Sequence, residues 1–164
     1  MKAGALAIDA MGGDRGPAEV VEGIALAFAA GQVPEELIVV GKEEQLRPIL
    51  AAKGLLDHGF LRIHHAPEII EMDEKPMVTL RNKRNSSMLQ GIELVKEGQA
   101  QAILSSGNTG SLMAGGTVRL RPLDGLERPA LATVMPGARR NGKWCLIDAG
   151  ANPDAKPEHL AHNA

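Results

Sequence analysis

Short apolar runs alternate with segments of helical periodicity along the chain. Ala5-Leu6-Ala7-Ile8 is continuous and apolar, ends at Asp9, and predicts a buried strand. A loop from Ala10 to Gly16 follows. Pro17 suits the first position of a helix, where a missing N–H costs nothing. Val20, Ile24, Ala27 and Phe28 recur at helical spacing, Val21 widens the stripe, and Gly31 closes the helix. Leu37 to Val40 predicts a second strand, ended by Gly41. Glu43 to Lys53 predicts a helix that Pro48 kinks or shortens. Leu61 to His64 reads as a third strand, and Pro67 to Pro76 as polar and irregular. Met77 to Asn82 predicts a short helix. Ser86 to Glu97 predicts a longer one, with Asn85 or Ser86 as its cap and Gly98 as its stop. Gln101 to Ser105 reads as a fourth strand, Ser106 to Gly110 as a tight loop, and Ser111 to Leu120 as a helix containing Gly115-Gly116. Ala130 to Met135 and Lys143 to Ile147 read as further strands. Asp148 to Lys156 is a loop, and Pro157 opens a last helix that the chain end at Ala164 cuts. This alternation predicts an α/β fold with a largely parallel sheet and flanking helices.

Composition narrows the functional classes. A length of 164 residues suits one compact domain or part of a larger one. With 18 Lys+Arg against 20 Asp+Glu, the net charge of -2 gives no bulk attraction for nucleic acid or anionic lipid. Aromatics are only 2%, namely Phe28, Phe60 and Trp144, which argues against base-stacking platforms. Cys145 alone makes neither an internal disulfide nor a cysteine-rich zinc site, so a reducing cytosol is the simplest setting. Within its apolar strand it reads as a small core residue. The start lacks a signal-peptide core, and no run approaches the ~20 apolar residues that span a bilayer.

The 19 glycines concentrate in loops after apolar runs, where backbone can approach a ligand. Three such loops stand out: Asp9 to Asp14, Ser105 to Gly110, and Asp148 to Lys156. In an open α/β sheet such loops gather outside the carboxyl ends of the strands, where ligands bind. Each leads into a helix N-terminus, whose free N–H groups and positive dipole end suit an anion such as phosphate. Any one of them also reads as an ordinary turn; together they favour a site. Neither G-x-x-x-x-G-K-[ST] nor G-x-G-x-x-G occurs, which removes support for a P-loop or the usual dinucleotide fingerprint.

The same loops carry a family resemblance. Ile8-Asp9-Ala10-Met11-Gly12-Gly13-Asp14, Asn85-Ser86-Ser87-Met88, Ser106-Gly107-Asn108-Thr109-Gly110 and Arg128-Pro129-Ala130-Leu131-Ala132 occur in order. Asp148-Ala149-Gly150-Ala151-Asn152 and Lys156-Pro157-Glu158-His159-Leu160 complete the series. The chain resembles the bacterial phosphate acyltransferases of phospholipid synthesis over essentially its whole length. Arg15 departs from the histidine usual in that family, and Pro153 from a frequent valine. The resemblance implies transfer of a fatty acyl group from acyl carrier protein to inorganic phosphate, giving acyl phosphate. It implies a fold like the isocitrate/isopropylmalate dehydrogenases and phosphotransacetylases, two α/β subdomains around a cleft, and a homodimer. It further implies a cytoplasmic protein attached peripherally to the inner face of the membrane. Family members continue well beyond this point. Residues 1–164 are therefore expected to be the N-terminal portion of one catalytic domain, inactive without the C-terminal half.

Such a reaction needs no redox cofactor, and no cofactor or metal is expected. Phosphate must be held at near-attack distance while the carbonyl oxyanion is stabilised. Asn108, Lys156 and Asp9 are the candidate catalytic residues: an amide donor, a cation for phosphate, and a carboxylate that orients a partner or accepts a proton. Gly12, Gly13, Ser106, Gly107, Thr109, Gly110 and Asn152 are candidates for binding phosphate or substrate. Lys156 also reads as a solvated helix-start lysine, and Asp9 as a strand-end turn residue. Ser106 as a covalent nucleophile is a minor alternative, because no histidine base accompanies it in a recognisable motif. The basic cluster Arg81, Lys83 and Arg84 is a candidate contact for acidic acyl carrier protein or a contributor to phosphate binding, or simply an exposed helix edge. Arg139-Arg140 reads as a solvated turn with Asn141-Gly142. His64-His65 at a strand end cannot present both rings to one face. His159 and His162 lie one helical turn apart without a third ligand. The competing functions are a non-catalytic phosphate- or acyl-carrier-protein-binding module and a metal- and nicotinamide-dependent dehydrogenase of similar fold.

Overall fold

The computed structural model describes residues 4–138 and 142–163, which form two compact units, Met1–Leu120 and Arg121–Ala164. The first unit is built on a parallel four-stranded sheet of β1 (Leu6–Asp9), β2 (Leu37–Gly41), β3 (Leu61–His65) and β4 (Ala102–Ser105), in the order β3-β2-β1-β4. β1, β2 and β4 are short, mainly aliphatic runs, and β3 alternates Leu61 and Ile63 with polar residues. All have too few residues for a helix, so pairing is their way to satisfy backbone polar groups. Leu6 faces Leu37 on one side and Ala102 on the other, and this register places Asp9 opposite Ser105.

Successive strand residues point to opposite faces, and each face has its own core. Ile8, Leu37 and Val39 pack with Val21 and Ile24 of α1 (Pro17–Ala29) and with Leu46 and Leu50 of α2 (Glu43–Ala52). Ala7, Ile38 and Val40 pack on the other face with Leu94 of α4 (Ser87–Lys96). Burying each of these large aliphatic side chains contributes about 1.5–3 kcal/mol. A further cluster joins Met88, Leu89 and Ile92 of α4 to Leu80 of α3 (Pro76–Asn82) and Leu112 of α5 (Thr109–Leu120).

Local signals set the ends of these helices. Pro17 and Pro76 occupy first positions. After α1, Gly31 takes φ 66, and the N–H groups of Gly31 and Gln32 donate back to the carbonyls of Phe28 and Ala27. Pro48 neither ends nor shortens α2, contrary to the sequence expectation. It lies on the exposed face, where the Glu44 carbonyl it leaves without an N–H can turn to water. α5 starts at Thr109, two residues before the predicted Ser111, because Asn108 caps it.

The second unit departs from the expected sheet. β5 (Ala132–Pro136) and β6 (Lys143–Ile147) pair with each other, antiparallel, as a separate two-stranded sheet, with Val134 opposite Cys145. Cys145 is exposed there, which corrects its reading as a core residue. Arg139, Arg140 and Asn141, read as a solvated turn, lie outside the described residues. The last helix is α6 (Pro157–Asn163). Among the described residues, no helix is long and apolar enough to cross a membrane.

Candidate functional site

The strand order reverses at β1. The chain moves outward from β1 through β2 to β3, then returns to place β4 on the other side of β1. Ligands in open α/β sheets bind in the crevice outside the carboxyl ends of strands at such a switch point. Two of the predicted loops, after β1 and after β4, meet there.

Asp9 ends β1 and is 2% exposed. Its Oδ1 accepts the N–H groups of Met11 and Gly12, each at 3.2 Å. Its Oδ2 accepts the Ser105 hydroxyl at 2.7 Å, a contact across 96 positions of sequence. Ser105 Oγ in turn accepts the Gly107 N–H at 3.1 Å. Ser106 Oγ donates to the Gly12 carbonyl at 3.1 Å. The two loops thus interlock through side chain and backbone together.

Glycine at position 12 is a packing necessity. A Cβ there would lie 2.7 Å from Asp9 Oδ2 and 2.8 Å from the Gly107 nitrogen, closer than real contacts allow. A Cβ at Gly13 would lie 2.8 Å from Ser106 Oγ. The predicted residues Asp9, Gly12, Gly13, Ser106 and Gly107 are therefore in mutual contact. Ser105, which opens the predicted Ser105 to Gly110 loop without being a candidate site residue, is the hinge of that contact.

Asn108 sits at the start of α5 with its whole side chain engaged. Oδ1 accepts the Ser111 N–H at 2.9 Å, an N-cap bond, while Nδ2 donates to the carbonyls of Met72 at 2.8 Å and Glu74 at 3.1 Å. Thr109 and Gly110 are exposed, and their N–H groups, at the first helical positions, have no hydrogen-bond partner among the described residues. They are open donors at the positive end of α5.

Two cavities adjoin the loops. One, of about 440 Å³, is walled by aliphatic side chains such as Leu6, Ile8, Val20, Ile24 and Leu104, with Asp9, Ser105 and Ser106 among its polar lining. The other, of about 410 Å³, is polar and lined by residues including Gly12, Gly13, Asp14, Arg15 and Glu19. Ser106 lines both. Arg15, in the loop before α1, pairs with Glu19 of the first turn of that helix at 3.2 Å.

The basic cluster is not uniform. Lys83 Nζ donates to the Ile69 carbonyl at 2.7 Å and to Glu74 Oε2 at 2.6 Å. The Lys83 hydrogen bond, aided by the Glu71 N–H, holds the Glu74 carboxyl below the usual carboxylate range. Arg81 and Arg84 are exposed and form no ion pair among the described residues. Ser86, at the cap position of α4, is fully buried, and its hydroxyl has no partner among the described residues. The ring of His65 accepts the Glu43 N–H at 3.2 Å, and His64 lies 3.4 Å from Gln90 Oε1.

In the second unit, Asn152 Nδ2 donates to Asp148 Oδ1 at 2.7 Å and to the Pro129 carbonyl at 3.1 Å. Lys156 is exposed and forms no ion pair among the described residues; its N–H donates to His159 Nδ1 at 3.1 Å. His159 is buried, and its Nε2 meets Glu127 Oε2 at 3.0 Å. Arg128 Nη1 donates to Asp154 Oδ1 at 2.9 Å and holds that carboxyl below its usual range. Among the described residues, no group of three or more His, Cys, Asp or Glu could hold a metal ion.

The chain is 46% identical over 159 residues to a phosphate acyltransferase of Myxococcus xanthus, covering 97% of this chain and 44% of that protein. It is 47% identical over 155 residues to a phosphate acyltransferase of Pelotomaculum thermopropionicum, covering 94% and 44% respectively. The enzyme of that name from Pseudomonas aeruginosa shares 44% identity over 160 residues, 98% of this chain and 47% of its own length. The chain thus spans less than half the length of the curated relatives it matches. A family model described as "Fatty acid synthesis protein" matches residues 5–164, and the chain belongs to that family.

Proposed function

We propose that this chain supplies the β1/β4 part of the active site of a phosphate acyltransferase. The reaction is transfer of a fatty acyl group from the thioester of acyl carrier protein to inorganic phosphate. A phosphate oxygen attacks the carbonyl carbon, a tetrahedral oxyanion forms, and the C–S bond breaks. The products are acyl phosphate and the free carrier thiol, which takes up the proton. The observation that carries this reading is the 43–47% identity, across nearly the whole chain, to proteins named phosphate acyltransferase.

The geometry supports it. Acyl transfer to phosphate needs a place for an anion beside a place for hydrocarbon. The open N–H groups of Thr109 and Gly110 suit a phosphate or an oxyanion. Ser106 lines one polar and one aliphatic cavity. Asp9 is held as an orienting carboxylate, and Asn108 acts by holding the first turn of α5 in place. Lys156 belongs to the proposal as a phosphate ligand from the loop after β6, and Asn152, with its amide given to Asp148 and Pro129, as the residue that shapes that loop. Exposed Arg81 and Arg84 suit the acidic surface of acyl carrier protein. A homodimer, with peripheral attachment to the inner face of the membrane, belongs to the same reading.

A chain of the relatives' full length that contains this segment tests the proposal. Release of free carrier thiol from acyl-carrier-protein thioester is expected to rise with phosphate and saturate. The 164-residue chain alone is expected to give none. Release that ignores phosphate overturns the assignment, and robust turnover by the 164-residue chain overturns the partial-site reading.

A further inference from the structure

We propose that Ser105 is a positioning residue, which sets both the Asp9 carboxylate and the Gly107 amide for the reaction proposed above. The inference rests on that reading for its kinetic consequence and on geometry for its mechanical one. A buried carboxylate needs donors, and Asp9 has two backbone donors at 3.2 Å and one hydroxyl at 2.7 Å. The hydroxyl contact is the short, charge-assisted one, and it fixes the direction of Oδ2. A serine hydroxyl has a single proton to give. With that proton on Asp9, Ser105 Oγ accepts the Gly107 N–H at 3.1 Å, so both ends of the hydroxyl are committed.

That commitment joins the end of β1 to Gly107, two residues before α5 begins. Gly12 is wedged between the same two groups, since a Cβ there would lie 2.7 Å from Asp9 Oδ2 and 2.8 Å from the Gly107 nitrogen. Removing the Ser105 hydroxyl unties Asp9 from Gly107 and frees the Gly107 side of the turn that leads to the Thr109 and Gly110 donors, leaving Asn108 to hold their other side. The positions of these donors, rather than their chemistry, are what Ser105 controls.

The test uses the full-length acyltransferase that contains this segment. Ser105→Ala is expected to lower kcat by about 10- to 100-fold, as misplaced catalytic groups do, with KM for phosphate changed less than about threefold. Ser105→Thr keeps the hydroxyl and is expected to restore most of kcat. Amide hydrogen exchange supplies a readout independent of activity. Gly107 is expected to exchange faster in Ser105→Ala, and to regain protection in Ser105→Thr, at matched global stability. If the wild type shows no phosphate-dependent transfer, the reaction assignment falls, while Gly107 exchange still decides the mechanical claim. Unchanged protection at Gly107, or a kcat insensitive to Ser105→Ala in an active enzyme, overturns the proposal.

Discussion

Asn108 is committed to the fold on every polar atom of its side chain. It caps α5 and ties that helix start to the carbonyls of Met72 and Glu74. Asn108→Ala removes the cap and leaves two carbonyls short of a donor, an expected loss of about 1–2 kcal/mol in urea denaturation. Asn108→Ser keeps a capping oxygen and is expected to recover part of the stability but not the two carbonyl bonds. Equal stability of wild type and Asn108→Ala would show the cap to be idle. The capping role was legible in principle, since Asn precedes a helical pattern. The ties to Met72 and Glu74 were not, because no local signal pairs residues more than 30 positions apart. Ser105 and Asp9 are the stronger case. Each ends an apolar run, but only the parallel register of β1 and β4 brings them together.

Elements show the same division. β1 to β4, α1 and α4 were readable because short aliphatic runs bounded by Gly, and helical stripes bounded by Pro and Gly, have few alternatives. The antiparallel pairing of β5 and β6 follows from the length of their connection. Only six residues separate Pro136 from Lys143, whereas a parallel crossover takes a dozen or more. Gly115-Gly116 looked like one feature and is two. A Cβ at Gly115 would lie 2.8 Å from Ile92 Cδ1 and 2.9 Å from Leu89 Cδ2, while one at Gly116 would meet nothing within 4 Å. Gly115→Val is expected to cost about 1–3 kcal/mol by overpacking α4 against α5. Gly116→Ala is expected to gain about 0.5–1 kcal/mol from helix propensity. Equal effects at the two sites in urea denaturation would contradict this packing.

The Glu74–Lys83 pair fastens the segment before α3 and gives it a pH dependence. The folded-state pKa of Glu74 is depressed, so the pair stabilises fully above the ordinary carboxylate value of about 4.3 and is lost as pH falls through the folded value. Wild type is therefore expected to exceed Lys83→Met in stability at pH 7, with the gap narrowing below about pH 4. A gap that stays constant from neutral to acid pH would remove the carboxylate from the explanation.

At the scale of the whole molecule, the glycine surplus and the aromatic poverty fit one picture. Glycine at position 12 lets two loops interlock at the strand ends, and the donors left open there among the described residues are the backbone N–H groups of Thr109 and Gly110 rather than rings. The motif series was legible as a family because it runs through the chain in order, and the match over residues 5–164 bears that out. The interlocking of the first two loops was not legible, because it depends on strand order. The central claim is acyl transfer to phosphate, and phosphorus NMR tests it most directly. The full-length protein that contains this segment is incubated with acyl-carrier-protein thioester and phosphate. The expected result is a new acyl phosphate resonance that grows in step with free carrier thiol, one for one. Thiol release accompanied by free fatty acid, with the inorganic phosphate signal undiminished, would contradict it.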